Sequence, residues 1–291
     1  MEVMRLIVKG IIKEVDCSTR IIKLETKYRI YYIRIRKGLY KKIKLFLGER
    51  ALVIADITPE IVSHHYYFLN YVIRIVSLDN QYLCYDNQYI DKTLGEFLNK
   101  PRNLMFLDLE FSMQEYNSHE PFIHEIIQIG YLIFDDTGKE VLRYNQYVRP
   151  NSGKLSSRTC KFLNINNRYF FNRAVNHNVV YRDLLRVLRK YDPHIVVYGK
   201  NDIKALKSFY EINKLPPLDR LTHFINLASL ITNYYHLDSE PGLFNLYALY
   251  YGDDMTQDHD AYFDAYVTSM VYDAFRKDVS SRKRSLNFLE D

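Results

Sequence analysis

Residues suited to metal-assisted chemistry recur at three places in the last two-thirds of the chain. Asp108 and Glu110 stand two apart in the apolar run MFLDLEF at residues 105–111. On a β-strand such a pair points to one face, because successive side chains alternate. Two carboxylates side by side repel unless a cation lies between them, and hard divalent cations take oxygen ligands. The pair alone is a frequent chance pattern. Asp202 follows a short apolar run and a glycine in PHIVVYGKND and opens a helical segment, where a lone Asp is ordinarily an N-cap. In TQDHDAYFDAYVTSMVYDAF, apolar residues recur at helical spacing, with His259 near the start and Asp264 five residues on. Placed on one helix, these two are separated by about 7.5 Å of rise, the His at the entrance and the Asp deeper. An Asp on a buried helical face needs a partner.

These residues require an α/β scaffold, and the sequence after Pro101 has that texture. MFLDLEF reads as a buried strand, HEIIQIGYLIFDD as a second, and EVLRYNQYV as a third after an Asp136-Thr137-Gly138 turn. SRTCKFLNI and the amphipathic VVYRDLLRVLRKY read as helical, and PHIVV as a short strand. No Gly-x-Gly-x-x-Gly follows any strand, which sets aside a dinucleotide-binding fold.

The first hundred residues differ in kind. They hold 17 Lys+Arg against 11 Asp+Glu, a net of +6, whereas the remainder holds 23 against 24, a net of −1, together giving the chain's +5. Nine basic residues between Lys27 and Arg50 face one acid, Glu49, and are interleaved with Tyr and Ile. Arg34 and Arg36 alternate with Ile33 and Ile35, a half-buried strand pattern. With Lys41 and Lys42 they form a candidate single-stranded nucleic-acid surface, and a plain solvated strand face accounts for them equally well. Five short β-like segments (VMRLIVKGIIKEV, RIIKLET, YYIRIRK, RALVIADI, YFLNYVIRIV) fit a small barrel. The pattern over residues 1–80 looks like that of OB-fold oligonucleotide-binding modules; an SH3-like barrel would read similarly. Residues 81–101 read as a polar linker with one short helical turn at Thr93–Leu98, residues 102–278 as the second domain, and 279–291 as a charged tail.

With 291 residues, 47% of them hydrophobic, the chain has material for about two cores and is not a disordered chain. The 27 Tyr fit either base stacking or an AT-rich coding background. Three scattered cysteines form no disulfide or zinc pattern, which fits a reducing compartment. The N-terminus lacks signal-peptide character and no apolar run reaches transmembrane length, so a soluble cytoplasmic protein is expected. His64-His65, His119 and His124 lack a matching ligand cluster and read as ordinary histidines.

In order, FLDLEF, EIIQIG, TCKFLNI, VYGKND and HDAYFDA resemble the motifs of the DEDDh 3′–5′ exonucleases, over residues 103–277. VYGKND is similar to the variant found in the ERI-type histone-mRNA enzymes. Two departures stand out: Phe111-Ser112 replaces the usual Thr-Gly, and Tyr198 replaces a Trp. The resemblance implies a ribonuclease H-like domain with a mixed central sheet flanked by helices. It implies two divalent cations, Mg²⁺ or Mn²⁺, held by Asp108, Glu110, Asp202 and Asp264, with His259 as general base; a neutral imidazole, pKa about 6.5, suits that role. Phe111 and Ser112 become candidates to contact the last nucleotide. Single-stranded RNA at its 3′ end is the expected substrate, with nucleoside monophosphate products; DNA, or an inactive binding module, are the alternatives. A homodimer is among the states the resemblance allows.

Overall fold

The computed structural model describes residues 5–60, 65–76, 84–116, 122–218, 221, 224–253, 255 and 259–282. His64, His119 and the tail from residue 283 lie outside the described residues. The chain divides into two compact units, one of Met1–Asn99 with Thr232–Ser239 and Val279–Arg284, the other chiefly of Lys100–Ile231 with Glu240–Asp278. Among the described residues no helix is long and apolar enough to cross a membrane.

The first unit is built on β1 (Leu6–Asp16), β2 (Ile21–Glu25), β3 (Ile30–Arg34), β4 (Leu52–Pro59) and β5 (Tyr66–Val76), the five expected segments. They alternate apolar and polar residues, so one side of each strand buries Ile, Leu and Val while the other meets solvent. The strands pair β3-β2-β1-β4-β5, and β3 also pairs with β5, which closes a barrel. That last pairing is parallel, with Tyr32 opposite Tyr66 and Ile33 opposite Tyr67. Parallel neighbours need a crossover rather than a hairpin. The crossover carries α1 (Lys37–Ile43) and a 3₁₀ turn (Lys44–Phe46), an insertion the basic composition of this stretch hides. Leu39 and Ile43 of α1 join Ile12, Ile22, Ile33 and Val53 in the barrel core. In place of a polar linker with a short turn, the described residues after Cys84 form β6 (Cys84–Asp86) and a full helix, α2 (Asn87–Asn99). Asp86 starts that helix by accepting the backbone N–H groups of Gln88 and Tyr89 at 3.0 and 3.2 Å.

The second unit contains β7 (Leu104–Phe111), β8 (Ile126–Phe134), β9 (Glu140–Tyr147), α3 (Ser157–Phe162), α4 (Asn167–Arg173) and α5 (His177–Tyr191). It continues with β10 (His194–Val197), α6 (Asn201–Asn213), β11 (Phe224–Asn226), α7 (Leu227–Tyr234), α8 (Leu243–Tyr251) and α9 (Ala261–Ser281), the last three residues of α7 and of α9 belonging to the first unit. The sheet order is β11-β10-β7-β8-β9, with the first three strands parallel and the last two antiparallel to their neighbours. This is the expected mixed sheet flanked by helices. Met105, Leu107 and Leu109 of β7 share a core with Val180, Leu184 and Leu188 of α5 and with Leu206 and Phe209 of α6. Phe106 points the other way, meeting Tyr272 of α9 edge-on at 5.4 Å between ring centroids. Strand alternation therefore assigns Asp108 and Glu110 to the α9 side.

Barrel closure at β3 gives a direct test. Ile33→Ala removes a fully buried side chain at the closing strand, whereas Ile7→Ala trims one that is 74% exposed. The first is expected to cost about 2–5 kcal/mol in urea unfolding and the second under about 0.5. Equal effects would contradict the closed barrel.

Candidate active site

Asp108 and Glu110 occupy the part of β7 that outruns its neighbour. β10 pairs with β7 only from Leu104 to Phe106, so the strand edge beyond is left without a ladder partner on that side. Asp202 fills the place: its Oδ1 accepts the N–H of Leu109 at 3.1 Å. Lys200, not Asp202, sits at the α6 cap position, and Asp202 is 3% exposed, so the N-cap expectation for this residue gives way to a bond across to β7.

α9 supplies the remaining groups. The sequence places His259 on the helix, but the structure places it just before, with a left-handed backbone (φ 51°), and the helix begins at Ala261. That turn brings the ring back toward Asp264, so ligand atoms of Glu110, His259 and Asp264 all lie within 4.8 Å of one another, a group able to hold a metal ion. His259 Nδ1 is 4.0 Å from Glu110 Oε1. The Phe162 ring of α3 lies on the imidazole, with centroids 3.8 Å apart and planes 29° from parallel. Ser156 starts α3 by accepting the Thr159 N–H at 3.0 Å, and Thr159 Oγ1 in turn accepts the N–H of Met113, so α3 is tied to the chain leaving β7.

The close contact of α9 with the sheet depends on a glycine. Gly130 of β8 is the cross-strand partner of Asp108. A Cβ built there would fall 2.1 Å from the Tyr262 nitrogen, closer than any real contact, so only a bare backbone lets the first turn of α9 rest on the strand.

Asp108 and Asp264 line an open cleft whose other side is Tyr198 and residues Gly242–Asn245 at the start of α8. Burial, then the neighbouring carboxylates Asp202, Asp264 and Glu110, hold the Asp108 carboxyl well above its ordinary range. Burial chiefly, then Asp264 and Asp202, push Glu110 up to about 8. Asp202 is pushed up to about 7 by burial, against the pull of two backbone N–H groups, its own and that of Leu109. A set of buried carboxylates that cannot all ionise unaided is the donor chemistry that fits hard divalent cations.

The other sequence-derived candidates are dispersed. Phe111 packs against the main core of this unit. Ser112 extends the pairing of β7: its N–H bonds the Glu125 carbonyl at 2.8 Å and its hydroxyl accepts the Glu125 N–H at 2.9 Å. His124 Nδ1 lies 2.8 Å from the Ser112 carbonyl. In the barrel unit, Arg36 and Lys41 are exposed, and Arg34 lies 3.4 Å from Glu60 and beside the Tyr66 ring. Lys42 is directed elsewhere, its Nζ donating to the carbonyls of Thr232 and Asn233 at 3.2 and 3.0 Å. A cluster not singled out in sequence gathers instead around Arg29, whose guanidinium lies 4.3 Å from the Tyr31 ring centre and bonds the Tyr67 hydroxyl. In the acid-bearing unit, sequence reasoning missed Phe162, Gln128, Asn145 and Asp260. Their one signal was position: Gln128 lies within EIIQIG, Phe162 within TCKFLNI and Asn145 within EVLRYNQYV, and Asp260 follows His259 directly.

No protein-family profile and no curated protein matches this sequence. Solved structures do. The nuclease domain of 3′hExo, a DEDDh family member bound to rAMP, is 20% identical with a TM-score of 0.52, over 62% of this chain and 92% of that one. A 3′-exonuclease structure describing 3′-end-specific recognition of the histone mRNA stem-loop is 18% identical with a TM-score of 0.52, over 67% and 71%. Cell-death related nuclease 4 (CRN-4) is 19% identical with a TM-score of 0.51, over 63% and 66%. The chain thus contains the fold of DEDDh-family nuclease domains.

Two outcomes follow from this geometry. In chelator, melting temperature is expected to fall as pH rises between about 4.5 and 8, because the folded state keeps a proton on Glu110 that the unfolded chain releases. Stability from this group is complete below its unfolded value and lost through its folded one, so Glu110→Gln should flatten the slope and a divalent cation should restore stability most at the alkaline end. Gly130→Ala, measured by thermal melting, is expected to cost about 1–3 kcal/mol, as overpacked cores do; an unchanged transition would contradict the α9 contact.

Proposed function

We propose that the chain is a metal-dependent 3′–5′ exonuclease that trims or degrades single-stranded nucleic acid, RNA in preference to DNA, releasing nucleoside 5′-monophosphates. The observation that carries this reading is the convergence of four carboxylates and His259, from three separate stretches of sequence, at the end of β7 in a fold shared with DEDDh nucleases. Asp108, Glu110, Asp202 and Asp264 would hold two ions, Mg²⁺ or Mn²⁺. When bound, such ions neutralise the carboxylates and stabilise the charge that builds on a phosphate under attack.

The protein's own groups supply the rest. His259 stands at the mouth of the site beside Glu110 and Asp264, where an imidazole can take the proton of the attacking water. Phe162 holds its ring from one face and keeps one side of the base covered. The cleft beside Asp108, walled by Tyr198, Leu243 and Phe244, offers aromatic and apolar surface to a terminal nucleoside. One structural neighbour is bound to rAMP and another is described by its 3′-end-specific recognition of the histone mRNA stem-loop, which supports RNA over DNA.

The barrel serves in this reading as a nucleic-acid-binding module of OB type. Its closed order β1-β2-β3-β5-β4, with a helix between β3 and β4, and the Arg29, Tyr31 and Tyr67 cluster support that role.

A time course on 5′-labelled single-stranded RNA with Mn²⁺ tests the proposal. The wild type is expected to give a ladder shortened from the 3′ end, and Asp108→Ala to slow it more than about 100-fold. A matched DNA oligonucleotide is expected to be cut more slowly. Internal cleavage, or equal activity of the variant, would overturn the reading.

A further inference from the structure

The proposed chemistry uses His259 and Asp264, and between them lies a carboxylate it does not use. Asp260 is held on three sides by hydrogen bonds. Its Oδ2 accepts Gln128 Nε2 at 2.7 Å and Asn145 Nδ2 at 3.2 Å, and its Oδ1 accepts the Phe263 N–H at 3.0 Å. Gln128 is 2% exposed and also donates to Asn145 Oδ1 at 2.8 Å, so the two amides and the carboxylate form one connected network. The carbonyl of Asp260 accepts the N–H of Asp264 at 2.9 Å.

Register gives this network its meaning. Gln128 is the cross-strand partner of Glu110, and Asn145 is the partner of Gly130, which in turn opposes Asp108. The amides that grip Asp260 therefore stand on the same sheet rows as the two acids of β7. Through Asp260, the two rows fix the start of α9, with His259 on one side of the gripped residue and Asp264 one turn beyond it. A capping Asp needs only the bond to Phe263; the two side-chain amides from β8 and β9 exceed that need.

We infer that Asp260 is a positioning residue, clamped by Gln128 and Asn145 so that His259 and Asp264 are set at working distance from Asp108 and Glu110. The inference rests on the metal-dependent reading above. Partners that orient metal-binding groups without touching the ion commonly change affinity or activity by about 10–100-fold when removed.

Asp260→Ser in the full chain separates clamping from capping. Serine still caps a helix but is too short to reach Gln128 and Asn145. The variant is expected to melt within a few degrees of the parent, to bind Mn²⁺ about tenfold more weakly in a direct titration, and to lose about tenfold or more in kcat with little change in KM for the oligonucleotide. Asn145→Ala, on an exposed side chain, is expected to move the same quantities in the same direction without unfolding the protein. If Asp260→Ser matches the parent in Mn²⁺ affinity and kcat while Asp260→Ala does not, Asp260 is a helix cap only and the inference falls. If the parent binds Mn²⁺ in an Asp108-dependent way yet leaves RNA and DNA intact, the exonuclease reading fails, and the affinity comparison still decides the clamp.

Discussion

The acid-bearing unit turns on one close approach, the backbone of α9 resting on Gly130 of β8. Side chains at both surfaces would ordinarily keep a helix axis well away from a sheet, roughly 10 Å, and a short Asp cannot reach across that gap. With no Cβ at position 130, the first turn of the helix drops onto the strand directly opposite Asp108. Asp264 and His259 then meet carboxylates that belong to β7. The same contact explains why Ala261 and Ala265, small residues, stand fully buried on this face of α9.

A second constraint is the uneven length of neighbouring strands. β10 stops short, and the exposed edge of β7 draws in Asp202, which bonds a backbone N–H as a strand partner would. A carboxylate that replaces a ladder bond is fixed in place by the same energetics that build the sheet. The cost lies in charge. Glu110, Asp202 and Asp264 are each less than 8% exposed, and burial with mutual repulsion raises the proton affinity of Asp108, Glu110 and Asp202. Groups arranged against their own stability in this way are characteristic of sites that bind or react.

Periodicity reveals elements better than it reveals their ends. The five barrel strands and β7 to β10 are legible because apolar alternation or continuous apolar runs mark them. α1 is not, since its Lys37, Lys41 and Lys42 look like the charges of a solvated strand while Leu39 and Ile43 turn inward. α2 hides for a similar reason: its 13 residues bury little besides Asn87 and Leu98. At the site, residue types and spacing single out the carboxylates, since a buried Asp or Glu is conspicuous against an apolar run. They cannot single out what supports them. Gln128 and Asn145 are common strand residues whose role exists only through register, and the left-handed turn at His259 is a backbone property no side-chain pattern records.

The barrel shows a different gap between sequence and surface. A count of charges between Lys27 and Arg50 treats nine cations as alike, yet their chemistry diverges once folded. Lys42 satisfies two backbone carbonyls, and Arg34 leans on Glu60. Arg29 instead lies against Tyr31 and bonds the hydroxyl of Tyr67, and the two rings stand edge to face at 5.1 Å. A guanidinium held on an aromatic face keeps its charge while losing freedom of movement, so it offers an ordered cation next to ordered π-surface. An unstacked base presents a flat face and a phosphate within a few ångströms of each other, and such a pairing of ring and cation matches both at once. What separates one cation from another in this unit is thus which of them the barrel leaves beside tyrosines, a distinction that net charge does not record.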